Sequence, residues 1–250
     1  ANVFDDGDPV AGNPETVEGA TPDSLASVLA TVSSAYGDND GRIRVTTVDT
    51  PQGPRVIVSV PGTESWIPGA GNNPMDLTGN LVTAGGGRST MSQAVELALA
   101  KANLPAGAQV MLVGHSQGGM TVADLASDSR FVSKYHVTNM VTYGSPIDSA
   151  HIDPRVNVLE FQHQSDVVPR LDLGDARLSP LGLSPGDPDV GSANHHNVTL
   201  SDPAWAPDAI KNHDHNQYRA SVERSTDPTL RAYEEQLRQK GFLSPDSSST

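Results

Sequence analysis

The residues most able to do chemistry in this sequence surround Ser116. An apolar run from Val110 breaks at Gly114, and a helix-like pattern resumes at Gly119. Strand, Gly-x-Ser-x-Gly and helix in this order hold a serine on a tight, strained turn where its hydroxyl can attack a carbonyl. Gly114 and Gly118 lack the bulk that would obstruct such a turn. The pattern therefore predicts Ser116 as a nucleophile, the alternative being an ordinary glycine-rich turn between strand and helix.

The same turn predicts a donor for the negative charge that this attack creates. The backbone N–H of Gln117 lies at the start of the predicted helix, where N–H groups have no partner within the helix and the helix dipole favours negative charge. We expect this N–H to point at the developing oxyanion.

A serine nucleophile needs a base, and the base needs a carboxylate that orients it. Asp166 is the first carboxylate after the strand predicted over 156–161, and Pro169 stiffens the segment that would present it. We therefore predict Asp166 as the acid of the site. Asp172 and Asp175 are the alternatives.

Four histidines after Asp166 could supply the base: His195, His196, His213 and His215. The segment with His213 and His215 comes late in the chain, just before a helical pattern, where a loop could carry a base to the serine. Side chains two residues apart in an extended segment point to opposite sides, so only one of the two can face Ser116. His115 adjoins the nucleophile on the turn, and we expect it to pack or hydrogen-bond behind the sheet.

The surrounding elements predict a mostly parallel sheet with helices on both faces. Two neighbouring strands at 43–48 and 55–60 read as a hairpin. Helical patterns cover 21–37, 89–104 and 229–240, and further strands are predicted at 110–113, 137–143 and 156–161.

The chain organisation is predicted as one domain with two long irregular segments. Residues 1–20 read as an irregular N-terminal arm, 21–243 as the domain and 244–250 as a flexible tail. The segments 64–88 and 171–207 are rich in Gly and Pro yet carry apolar side chains, which is typical of cleft walls or lids. The candidate cleft residues are Trp66, Ile67, Met75, Leu171 and Leu173.

Composition excludes several functions. The absence of cysteine among 250 residues excludes thiol catalysis and disulfides, and a net charge of −14 argues against nucleic acid. No His-Glu-x-x-His or His-x-x-x-His spacing is present, so we expect neither a metal nor another cofactor. No apolar run is long enough to span a bilayer. The chain begins at Ala1, so localisation stays open.

Five motifs in order resemble those of a known family. They are Val60-Pro-Gly-Thr63, Gly114-His-Ser-Gln-Gly118, Thr142-Tyr-Gly-Ser-Pro146, Asp166-Val-Val-Pro169 and His215-Asn-Gln-Tyr218. This set looks like the class 3 lipase family of α/β-hydrolases, over roughly residues 43–222.

The resemblance implies an α/β-hydrolase fold and a serine esterase or lipase of lipid metabolism. His215 matches the His-x-x-Tyr of the family, which implies a triad of Ser116, Asp166 and His215. Thr63 matches the residue that completes the oxyanion hole with Gln117. The expected substrate is a small-molecule or lipid ester. A thioesterase or acyltransferase with the same triad, and a catalytically silent binding module, are the alternatives.

Overall fold

Strands and helices alternate along most of the chain. The structure, a computed structural model, describes residues 21–37, 43–62, 88–147, 150–166, 168–170, 178–179, 182–183, 194–202 and 212–245. The helices in these ranges are α1 (Leu25–Gly37), α2 (Arg88–Lys101), α3 (Gln117–Ala126), α4 (Ser129–Tyr135), α5 (His215–Arg224) and α6 (Pro228–Gln239). The strands are β1 (Arg44–Thr50), β2 (Gly53–Val60), β3 (Gln109–His115), β4 (Val137–Tyr143), β5 (Asn157–His163), β6 (Leu178–Ser179), β7 (Gly182–Leu183) and β8 (His195–Leu200).

Six of the strands form one sheet in the order β1-β2-β3-β4-β5-β8. β1 and β2 pair antiparallel as the predicted hairpin, and the other neighbouring pairs are parallel. Because parallel strands end at the same edge, the residues that follow β2, β3, β4 and β5 meet there. That edge brings together Gly62, Ser116, Gly144 and Asp166.

Each face of the sheet is covered by helices and has its own apolar core. Met111 and Val113 of β3 point into the core that α1, α5 and α6 complete. Val110 and Leu112, which alternate with them, point into the core that α2, α3 and α4 complete. Because both faces are buried, the central strands are rich in apolar residues, which is why the sequence predicts them well.

Three strands were not expected from the sequence, and they are β6, β7 and β8. The first two pair with each other in a separate two-stranded sheet. β8 lies within the segment 171–207 that was predicted as a cleft wall, and residues 195–200 instead extend the sheet. Of its six side chains only those of Val198 and Leu200 are buried, so its apolar signal is weak. The predicted arm 1–20 and residues 64–87 lie outside the described residues.

Candidate active site

Ser116 occupies the turn between β3 and α3 in a backbone conformation that side chains rarely adopt. Its φ is 55° and its ψ is −122°, and it is the residue that precedes the first turn of α3. Its N–H donates to the carbonyl of Tyr143 at 3.1 Å, and its own carbonyl accepts from Gly119 N–H at 3.1 Å. A positive φ at a non-glycine residue costs free energy of order 1–3 kcal/mol, so the surrounding contacts must hold this turn in place.

The glycines around Ser116 allow elements to approach closely. A Cβ at Gly118 would lie 2.0 Å from the carbonyl oxygen of Val60, and one at Gly114 would lie 2.4 Å from the carbonyl oxygen of Gly118. Both overlaps are with backbone and cannot be relieved by a rotamer change. The sequence argument for Gly114 and Gly118 therefore has a geometric basis. It overlooked Gly119, where a Cβ would lie 1.9 Å from Ser145 Oγ.

The hydroxyl of Ser116 meets the imidazole of His213. His213 Nε2 lies 2.9 Å from Ser116 Oγ, and His213 Nδ1 lies 2.9 Å from Asp166 Oδ2. The carboxylate can only accept, so Nδ1 carries the proton and Nε2 is free to accept from the serine hydroxyl. All three side chains are buried. This is the order of atoms that general-base activation of a serine requires.

The predicted base, His215, instead faces α1. Its Nδ1 lies 2.8 Å from Ser33 Oγ, and its ring stacks on Tyr36 with centroids 4.3 Å apart. The assignment of His215 to the site is therefore corrected to His213. The alternation argument was right that the two side chains diverge, but the resemblance selected the wrong one.

His215 faces α1 because of where α5 starts. The Asp214 carboxylate accepts from Asn216 N–H at 2.9 Å and from Gln217 N–H at 3.3 Å, so it caps a helix that begins at His215. The sequence contains a signal for this helix start, because an Asp followed three residues later by a Gln, as in Asp214 and Gln217, is typical of the first turn of a helix. With the helix starting there, His215 sits on its first turn beside α1 and His213 precedes the cap.

Asp166 is held by three donors. Besides His213 Nδ1–H at Oδ2, the hydroxyl of Tyr218 donates to Oδ2 at 2.5 Å and the N–H of Val168 donates to Oδ1 at 3.1 Å. Burial, followed by the charge of Asp166, holds the pKa of Tyr218 well above its usual value, so the phenol keeps its proton and donates. The predicted acid is thus in place; the alternatives Asp172 and Asp175 lie outside the described residues.

Two further buried histidines contact the backbone beside the base. His115 Nε2 lies 2.7 Å from the carbonyl oxygen of His213, and His163 Nδ1 lies 2.6 Å from that of Asn212. Burial lowers the pKa of both imidazoles, that of His115 well below the usual value, so both are neutral at pH 7. His115 therefore adjoins Ser116 in the chain, and both of its ring nitrogens hydrogen-bond to other groups. His163 was not singled out from the sequence.

Two residues near the predicted oxyanion hole lie within the described ranges. Gln117 is buried at the start of α3, directly after Ser116. Gly62 lies beside the serine, since a Cβ at this glycine would be 3.5 Å from Ser116 Cβ, and its N–H donates to Tyr36 Oη at 2.8 Å. Thr63 lies outside the described residues, as do the candidate cleft residues Trp66, Ile67, Met75, Leu171 and Leu173.

The other two candidates for the base, His195 and His196, contact residues of other elements. His195 Nε2 lies 2.8 Å from Glu160 Oε2, and the ring of His196 lies near Tyr233 with centroids 6.3 Å apart.

Among the described residues, no three His, Asp or Glu side chains are grouped so that they could hold a metal ion. None of the helices in these ranges is both long and apolar enough to cross a membrane.

Comparison with known proteins yields one family match. Residues 89–181, which include Ser116 and Asp166, match the model of the PGAP1-like alpha/beta domain. No curated protein sequence matches the chain significantly.

The solved structures with detectable similarity include three that align with most of this chain. A lin2722 gene product of Listeria innocua has 12% identity and a TM-score of 0.36, with 88% of this chain and 94% of that chain covered. A deletion mutant of the Rhizomucor miehei lipase propeptide complex has 13% identity and a TM-score of 0.35, covering 79% and 77%. A triacylglycerol lipase described as having a serine protease triad has 13% identity and a TM-score of 0.30, covering 71% and 78%.

The fold assignment follows from the chain itself together with the family match. The matched range spans the turn at Ser116 and the two parallel strands that follow. The mostly parallel sheet has helices on both faces, and a strained serine ends one of its central strands. These features confirm the predicted α/β-hydrolase fold.

Proposed function

We propose that this protein with an α/β-hydrolase fold is a serine hydrolase that cleaves carboxylic esters through an acyl-enzyme. The observation that carries the proposal is the pair of 2.9 Å contacts that link Ser116 Oγ, His213 and Asp166. A serine on a strained turn, a base at its hydroxyl and a carboxylate behind the base are the groups that acyl transfer requires.

In the proposed reaction, Ser116 Oγ attacks the ester carbonyl while His213 Nε2 takes the hydroxyl proton. His213 then returns this proton to the leaving alcohol, which leaves the acyl group on Ser116. A water molecule, deprotonated by His213, attacks the acyl-enzyme. His213 then returns that proton to Ser116 Oγ as the carboxylic acid leaves, which regenerates the serine hydroxyl. Asp166 accepts from His213 Nδ1–H throughout and stabilises the imidazolium that forms twice.

The negative charge on the carbonyl oxygen would be stabilised by backbone donors. The N–H of Gln117 at the start of α3 is the first proposed donor, and the N–H of Thr63 is the second. Two observations support Thr63: it directly follows Gly62, which adjoins Ser116, and the N–H of Gly62 is already engaged by Tyr36. Loss of one such donor typically raises the barrier by about 3–4 kcal/mol.

The substrate is proposed as an ester with an apolar acyl or alcohol part. This rests on the apolar residues of the segments 64–88 and 171–207. The net charge of −14 favours soluble or short-to-medium esters over those presented at an anionic lipid surface.

The test is covalent labelling with a fluorophosphonate probe, which reacts with an activated serine. The parental protein should be labelled on Ser116, and Ser116→Ala should not be labelled. The same pair is then compared on p-nitrophenyl esters of increasing chain length, with and without an added alcohol acceptor. A folded parental protein that takes up no label would support the silent binding module, while faster transfer than hydrolysis would indicate an acyltransferase.

A further inference from the structure

The backbone on both sides of the Asn212–His213 peptide bond is held by two imidazoles from different strands. His163 Nδ1 lies 2.6 Å from the Asn212 carbonyl oxygen, and His115 Nε2 lies 2.7 Å from the His213 carbonyl oxygen. A carbonyl oxygen can only accept, so the proton lies on Nδ1 in His163 and on Nε2 in His115. Two consecutive carbonyls thus receive one N–H each.

The second nitrogen of each ring is also occupied. His115 Nδ1 lies 2.7 Å from Tyr36 Oη, and His163 Nε2 lies 2.7 Å from Ser221 Oγ. Since the facing carbonyl requires the other nitrogen to be protonated, both hydroxyls donate to their imidazole. Tyr36 and Ser221 therefore complete the hydrogen bonding of the tautomer that each facing carbonyl requires.

The positions of these histidines connect them to the candidate site. His115 ends β3 and directly precedes Ser116, while His163 ends β5 and its carbonyl accepts from Asp166 N–H at 3.2 Å. The strand that carries the nucleophile and the strand that carries the acid therefore each hold the backbone of the base.

We infer that His115 and His163 are positioning residues that set the location of His213 between Ser116 and Asp166, an inference that rests on the proposed function. His213 must reach two partners at once, and its side chain can do so only while its backbone stays fixed. A displacement of about 1 Å in a catalytic group can lower turnover by about a hundredfold. Two donors on consecutive carbonyls restrict both translation and rotation of that peptide.

The experiment compares variants that keep the donor with variants of similar size that lose it. His163→Asn places an amide N–H near the position of Nδ1, whereas His163→Leu has none. His115→Gln places an amide N–H near the position of Nε2, whereas His115→Met has none. For each variant we measure kcat and KM on a p-nitrophenyl ester, the rate of fluorophosphonate labelling, and the Tm.

The donor-free variants should lower kcat and the labelling rate by about ten- to a hundredfold while KM stays within about twofold. The donor-keeping variants should recover most of that loss. A role in packing alone would instead make activity follow Tm. Equal losses within each pair, or unchanged kcat in the donor-free variants, would overturn the inference.

Two controls keep this test separate from that of the proposed function. Failure of the parental protein to take up label, or equal labelling of Ser116→Ala, would reject the proposed function itself. Where a donor-free variant does not fold, Ser221→Ala replaces it, because this change removes the hydroxyl that holds His163 Nε2 without altering the imidazole. It should lower kcat severalfold at constant KM, and an unchanged kcat would reject the role of His163.

Discussion

At the scale of single residues, the direction of the hydrogen bonds to the imidazoles in the candidate site is set by oxygen atoms that can only accept. The Asp166 carboxylate can only accept, which puts the proton on His213 Nδ1 and leaves Nε2 to face Ser116. The carbonyls of Asn212 and His213 determine the tautomers of His163 and His115 in the same way. The position of the proton on each of these imidazoles therefore follows from a neighbouring oxygen that can only accept.

His213→Ala should abolish ester hydrolysis, whereas His215→Ala should keep most of it. The first change removes the group that contacts the nucleophile, and a loss of at least about a thousandfold in kcat is expected. The second removes a stacking contact with Tyr36 and a hydrogen bond to Ser33, so its effect should fall mainly on stability. Steady-state kinetics and Tm of these two variants decide which histidine is the base. A larger loss of kcat in His215→Ala than in His213→Ala would restore His215 as the base.

Tyr218→Phe should weaken catalysis by about tenfold and also destabilise the fold. The hydroxyl donates to Asp166 Oδ2 and accepts from His163 N–H at 3.0 Å, so its loss removes one support of the acid and leaves a buried N–H without its acceptor. An unsatisfied buried donor costs about 1–3 kcal/mol. Urea unfolding and kcat are the two measurements.

Asp166→Asn, measured alongside, should lower kcat by about ten-thousand-fold because the wrong tautomer of the base is then favoured.

At the scale of elements, the site depends on how closely α3 approaches the strand ends. Gly118 lies against the backbone of Val60, and Gly119 lies against the side chain of Ser145 in the turn after β4. An overlap between an added methyl group and the backbone can be relieved only by displacing the strand. An overlap with a side chain can be relieved by substituting that side chain. The two adjacent glycines should therefore respond differently to the same substitution.

Gly119→Ala should destabilise the protein by about 1–3 kcal/mol, and Ser145→Gly should restore much of that loss in the double variant. The added Cβ would meet Ser145 Oγ at 1.9 Å and Ser145 Cβ at 2.6 Å, and both atoms are absent once residue 145 is glycine. Denaturant unfolding of the two single variants and the double variant measures the coupling. Additive losses would show that the overlap is not with Ser145.

Gly118→Ala offers the contrast within the same helix. Its Cβ would meet the Val60 carbonyl oxygen at 2.0 Å, so no side-chain replacement can relieve it. We expect a larger loss of stability than for Gly119→Ala, together with loss of fluorophosphonate labelling, since β2 would be displaced from the turn. Equal stability of the two variants would contradict this.

At the scale of the whole molecule, buried neutral histidines should make stability depend on pH. Burial lowers the pKa of His115 and His163 from the usual 6.5, so below that pH the unfolded chain binds protons that the folded chain does not. The free energy of unfolding should therefore fall as pH decreases below about 6.5, by up to about 1.4 kcal/mol per pH unit for each histidine. The loss should continue down to the lowered pKa of the folded state.

Urea unfolding at several pH values between 8 and 5 checks this dependence. His163→Asn removes one of the two groups and should flatten the slope by about the contribution of one proton. An identical slope in the parental protein and the variant would show that His163 does not contribute.

The sequence by itself determined the features that depend on local pattern. Ser116 and its glycines follow from a strand, a turn and a helix within eleven residues, and the buried central strands follow from their continuous apolar runs. Asp166 was found because a carboxylate directly after a parallel strand must lie at the sheet edge where the nucleophile also lies.

Only the tertiary structure decided which histidine faces Ser116 and what holds it there. His213 and His215 differ by two positions, and the side that each faces depends on where α5 starts and on how α1 packs beside it. His163 is distant from His213 in sequence, so its contact with Asn212 exists only because β5 ends beside this segment. Such contacts are set by the closing of the whole sheet and its helices, which no local pattern encodes.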